Sequence, residues 1–139
     1  DNPFFDLDSA YQFILKADLA FTEAPDKERV TIGNYGVSHT TIEAQRTNIH
    51  EQAWGVAKGQ NTVSAYKSFL DRYPSGTRGD EARSIMHHLA FQEARKADTS
   101  TAYESFINAF PGATEIYEAR TRMQGAVYAE ATAAKELPS

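Results

Sequence analysis

Apolar positions recur along this chain at the three-and-four spacing of an amphipathic helix, and one stretch of that pattern is written twice. Asn61–Pro74 reads NTVSAYKSFLDRYP, and Asp98–Pro111 reads DTSTAYESFINAFP. A shift of 37 residues superimposes Thr62 on Thr99, Ala65 on Ala102, Tyr66 on Tyr103 and Phe69 on Phe106. The same shift places Leu70 on Ile107, Tyr73 on Phe110 and Pro74 on Pro111. The rhythm extends to the segments between the copies. Arg46, Arg83 and Arg120 are in register, as are Ile49, Met86 and Met123, then Ala53, Ala90 and Val127. Trp54, Phe91 and Tyr128 follow, and then Ala57, Ala94 and Ala131. Self-similarity at such a period is the mark of paired helices stacked as a repeat array.

The pattern predicts long helices over about 41–58, 78–97 and 115–136, with Thr40, Thr77 and Thr114 as their caps. Shorter helices are predicted over about 63–73 and 100–110, capped by Thr62 and Thr99 (or Asn61 and Asp98). Pro74 and Pro111 stop them, and Gly76 or Gly112 supplies the turn. In the middle long helix, Ala82, Ile85, Met86, Leu89 and Glu93–Ala94 trace the stripe facing its neighbours. Upstream, Asp8 or Ser9 caps a helix to about Ala24 that buries Leu7, Tyr11, Ile14 and Leu15, while Phe4 and Phe5 pin the terminus. Its Ala20-Phe21-x-x-Ala24 matches Ala53-Trp54-x-x-Ala57, so residues 8–39 read as a degenerate first repeat. Repeats follow at 40–76 and 77–113, with an incomplete one at 114–139, in one domain.

Pro25-Asp26 breaks the first helix, and the segment near residues 25–39 is irregular. Val30, Thr31 and Ile32 favour extended backbone, while Gly33, Asn34 and Gly36 favour turns. It is either a short frayed helix or a loop with a small hairpin, with the loop favoured. The expected fold class is all-α: a right-handed α-solenoid of antiparallel helix pairs. At the other end, Ser139 falls where Ala102 sits in the second copy. The helix over 115–136 then lacks a partner and exposes an apolar edge around Val127, Tyr128 and Ala131. Continuation of the natural chain is the favoured account of that edge, and self-association through it is the other. Beginning at Asp1 with no signal-like segment, the sequence reads as a processed or excised form.

Composition narrows the function classes. A net charge of −5 and a pI near 5.3 argue against a nucleic-acid surface. Zero cysteine removes disulfides, thiolate nucleophiles and zinc–thiolate sites. No apolar run approaches the roughly 20 residues of a membrane span. There is no G-x-S-x-G, no phosphate-cradling glycine loop and no H-E-x-x-H. His39–Glu43 and the adjacent His87–His88 are the only close groupings of potential ligands, and adjacent helical residues diverge by about 100°. Neither a metal nor any other cofactor is expected.

The pattern A-[FW]-x-x-A … T-x-x-A-Y-x-x-F-[LI]-x-x-[YF]-P resembles tetratricopeptide-type repeats, above all those of bacterial envelope proteins such as the TolA-binding protein and the outer-membrane-assembly lipoproteins. The resemblance covers residues 40–139 well and residues 8–39 poorly. It departs from the standard repeat in its 37-residue length and in lacking the small-residue pair after the Trp. What it implies is a right-handed solenoid binding a protein or peptide, in a bacterial periplasm or cell envelope.

The candidate binding residues are the ladder Arg46, Arg83 and Arg120 with His50, His87 and Gln124 one turn on, at i+4 on the same face. Guanidinium forks suit carboxylates, so such a row reads an acidic peptide or a chain terminus. The structural alternative, which carries more weight, pairs each Arg with a nearby Glu43, Glu81 or Glu118. Trp54, Tyr66 and Tyr103 imitate an aromatic ligand box, but their repetition beside alanines says core. The expected function is a noncatalytic protein-interaction scaffold. The alternative is a recruitment or dimerisation module of a larger enzyme. An enzyme in its own right would need His39, His50 and Glu43 to converge beside the irregular segment.

Overall fold

A computed structural model describes residues 6–136. The expectations for Phe4, Phe5 and Ser139 fall outside them. Among the described residues the chain is mostly helical, with six helices and one two-stranded hairpin: α1 (Leu7–Glu23), β1 (Arg29–Ile32), β2 (Tyr35–Ser38), α2 (His39–Gln60), α3 (Val63–Arg72), α4 (Gly79–Ala97), α5 (Ser100–Ala109) and α6 (Ile116–Glu136). These bounds lie within two residues of those the periodicity predicts for every long and short helix from residue 39 on. Two compact units divide between Gly59 and Gln60.

In the first unit α1 buries Ala10, Phe13, Ile14, Ala17 and Phe21. Leu7 and Tyr11 pack at the margin, and Leu15 is 44% exposed, so the buried stripe runs one position round from the expected one. Its cap is Asp6, whose carboxylate accepts from the Ser9 amide at 2.7 Å, in place of Asp8 or Ser9. The irregular segment is the hairpin, joined by the two residues Gly33 and Asn34. Gly33 has φ +61° and Asn34 does not share the positive φ, the requirement of a type II′ turn. Val30 pairs with Val37, and Ile32 with Tyr35. All four turn inward onto α1, where Tyr35 meets Phe13 edge-on at 5.9 Å. The hairpin thus covers one face of α1.

In the second unit helices adjacent in sequence pack on one another from α3 to α6. Phe91, Ala94, Tyr103, Phe106, Ala113, Ile116, Ala119 and Ala126 form its main core. Thr62 and Thr99 cap α3 and α5 through side-chain bonds to Ala65 and Ala102. Asn61 and Asp98 take another role. Both sit in the left-handed region (φ 51° and 52°) between a long helix and a short one, a conformation Asn and Asp tolerate better than most residues. Each accepts the hydroxyl of a buried tyrosine, Tyr66 at 3.0 Å and Tyr103 at 2.6 Å. The threonines expected to cap the long helices do not do so. Thr40 lies inside α2, whose first turn is bonded by Ser38. Position 78 precedes α4 without a side-chain cap bond. The hydroxyl of Thr114 bonds the Glu115 carboxylate instead. At Gly79 a Cβ would stand 3.0 Å from the Pro74 carbonyl oxygen, so a side chain there would press the preceding turn outward by a few tenths of an ångström. No helix among the described residues is long and apolar enough to cross a membrane.

Candidate partner-binding surface

The three ladder arginines differ in what they hold. Arg46 forks onto Asp18 of α1, with contacts of 2.6 and 3.0 Å, and reaches Glu43 at 3.3 Å. The Asp18 hydrogen bonds, against some desolvation, raise its already high pKa. Arg83 donates to the Pro74 carbonyl at 3.0 Å and to Asp80 at 2.8 Å. Arg120 is exposed and has no ion pair among the described residues. The expected partners Glu81 and Glu118 serve Arg78 (3.5 Å) and Arg122 (2.7 Å) instead. Register explains the difference. Three residues before each arginine stand Glu43, Asp80 and Tyr117, so the third repeat has an aromatic where the others have an acid.

The residues at i+4 diverge similarly. His50 is half-buried, with Nδ1 3.2 Å from Glu51. His87 is half-buried against Phe110, ring centres 5.2 Å apart, and burial lowers its pKa below the usual histidine value. Arg83 pushes it the same way and Glu115 opposes. Gln124 is exposed. Arg83 and His87 line one cavity of about 410 Å³ with Asp80, Thr114 and Glu115. His39 stacks on Phe21 at 3.7 Å, away from any such grouping. Among the described residues no three His, Asp or Glu side chains gather as a metal site. Trp54, Tyr66 and Tyr103 are buried, as core residues are.

On α6 the structure brings together two sets of residues singled out for separate reasons. At about 100° per residue, Tyr117, Arg120, Gln124, Val127, Tyr128 and Ala131 fall within one sector about 100° wide. All six are exposed, Tyr117 by 83%, Tyr128 by 76% and Val127 by 52%. The adjoining side of the helix, through Ile116, Ala119, Met123 and Ala126, packs into the core with α5. The acids of α6 point elsewhere. Glu118 is held by Arg122, and Glu130 accepts from the Ser100 amide and hydroxyl at 2.9 and 2.6 Å, bonds that lower its pKa. The exposed sector therefore presents aromatic rings and a guanidinium with no carboxylate. Tyr117 escaped the sequence reading. The signal for it was its break with Glu43 and Asp80 in register.

On α4 the later part of the same register is covered, while the Asp80 side chain at its start stays fully exposed. Phe91 and Ala94 are 4% exposed, Phe91 lies 5.4 Å from Phe106 of α5, and His87 meets Phe110. Compared with models of known families, with curated proteins and with solved structures, the chain matches none of them.

Proposed function

We propose that the protein is a noncatalytic interaction module, a tetratricopeptide-like stack of antiparallel helix pairs, whose partner protein docks along the exposed face of α6. One observation carries the reading: positions that α5 covers on α4 are bare on α6. Exposed tyrosines beside an unpaired arginine have the composition of interface anchors, since they bury large area and offer directed hydrogen bonds. The 37-residue repetition and the sequential packing of α3 to α6 support the solenoid. Arg46 and Arg83 serve the fold in this reading, and only Arg120 and Gln124 of the ladder meet the partner.

A photo-reactive residue at Gln124, introduced in the cell of origin, is expected to give one discrete adduct. The same residue at Glu104, exposed on α5, should give none, and Tyr128→Asp should abolish the first. Equal yields from both positions would sink the assignment.

A further inference from the structure

Position 115 breaks the repeat in a way for which the fold compensates. A shift of 37 residues sets Arg78 against Glu115, Glu81 against Glu118 and Ile85 against Arg122. Glu81 pairs with Arg78 at 3.5 Å, whereas Glu118 pairs with Arg122 at 2.7 Å. Arg122 thus supplies the cation that position 115 no longer gives, and the reversed charge at 115 has no part in that pair. The Glu115 side chain is only 18% exposed, yet among the described residues no lysine or arginine lies within ion-pair distance of it. One carboxylate oxygen accepts the Thr114 hydroxyl at 3.2 Å. The other lies 3.7 Å from His88 Nδ1, beyond hydrogen-bond range. Among the described residues the carboxylate takes no amide of α6, so it does not serve as that helix's cap.

Glu115 lines the cavity of about 410 Å³ with Asp80, Arg83, Ser84, His87 and Thr114. The other charges there are already matched. Arg83 donates to Asp80 at 2.8 Å and to the Pro74 carbonyl at 3.0 Å. Burial, with Arg83 adding and Glu115 opposing, holds His87 below its usual pKa, so its ring adds no charge at neutral pH. One unmatched negative charge remains, in a recess that also carries two hydroxyls. We propose that this recess binds a primary ammonium group carried on an alkyl arm. Such a head offers three N–H donors on a compact charge. The lining offers the Glu115 carboxylate and the Ser84 and Thr114 hydroxyls as acceptors. The volume is at the lower end of small-molecule sites, enough for the head and its arm. The site stands apart from the α6 docking face and does not depend on it.

The test uses the full chain, labelled with nitrogen-15 and titrated with n-butylammonium chloride at constant ionic strength. Saturable shifts are expected in the amides of Ser84, His87, Thr114 and Glu115, with a dissociation constant of about a millimolar. Tetramethylammonium, which carries the charge without an N–H donor, should leave them unmoved. Glu115→Gln should weaken binding by about tenfold, the scale of one charge-assisted bond. Glu115→Arg, which copies Arg78, should abolish it. Glu118→Gln, which removes an acid already paired with Arg122, should leave it unchanged. Nα-acetyl-lysine N-methylamide then separates the sources of the ammonium. Tighter binding than butylammonium gives the site to a protein's lysine, and equal binding gives it to a free alkylamine.

If butylammonium moves none of those amides, or tetramethylammonium moves them as strongly, the proposal is overturned. Equal weakening by Glu115→Gln and Glu118→Gln would reduce the effect to net charge and overturn it too. So would acetate shifting these amides where the amine does not, which would give the recess to Arg83 and His87. The comparison of the two ammonium ions needs no variant, so it decides even where Glu115→Gln fails to fold.

Discussion

Arg46 and Arg120 hold the same place in the repeat and meet different fates, which makes them a paired control. Arg46→Ala removes a two-pronged bond to Asp18 that ties α1 to α2. Solvent reaches the pair, so the loss should be modest, about 1 kcal/mol, and visible as an earlier melt. Arg120→Ala should leave the melt unchanged within about 0.5 kcal/mol. Equal losses in both would mean the ladder is wholly structural. The pH dependence of stability belongs to His87. Its folded pKa is depressed, chiefly by burial, with Arg83 adding and Glu115 opposing. The neutral ring is therefore favoured in the fold. Its contribution is complete above the ordinary histidine value of about 6.5 and is lost as pH falls below that through the folded value. Denaturant midpoints should decline between neutral pH and pH 5, and His87→Gln, which copies Gln124, should flatten that decline. Periodicity put the three arginines in one register. It named Glu43 for Arg46 but missed Asp18, which is distant in sequence, and it named for Arg83 and Arg120 two acids that pair with Arg78 and Arg122 instead.

At the scale of elements, the hairpin shows what local chemistry can and cannot announce. Val30, Thr31 and Ile32 before Gly33-Asn34 read as strand and turn, and they fold that way. What the residues did not reveal was that the hairpin would pack onto α1, since that depends on Val37 and Tyr35 joining the core around Phe13. Gly33→Val puts a β-branched side chain at φ +61° and should cost about 1–3 kcal/mol, seen in the melt of the first unit. The caps of the long helices were misplaced for a related reason. Threonines in register look equivalent, but α2 begins two residues after the hairpin's last inward residue, Val37, and Ser38 is the side chain within reach of Thr41. Ser38→Ala should cost about 1 kcal/mol, and Thr40→Ala close to nothing. The reverse order would restore the threonine as cap.

Across the whole molecule, repetition fixes which positions are equivalent, and packing decides which of them are covered. Phe91 and Tyr128 stand in the same register, yet one is 4% exposed and the other 76%. Sequence periodicity assigns both to a buried stripe, and only the packing of α5 on α4 sets them apart. Equivalence without cover makes a sharp energetic contrast. Phe91→Ala strips a ring from the core shared with Tyr103 and Phe106 and should cost about 3–5 kcal/mol, enough to unfold much of the second unit. Val127→Lys with Tyr128→Lys changes two exposed side chains and should leave the melt within about 0.5 kcal/mol of the parent. The same double variant trades apolar area for charge on the face, so it should abolish partner capture at Gln124 while the helical content stays constant. A double variant that melts as early as Phe91→Ala would show that the α6 face is already part of a core. Loss of capture with an unchanged melt separates binding from folding, and that separation is what an interface, as opposed to an interior, requires.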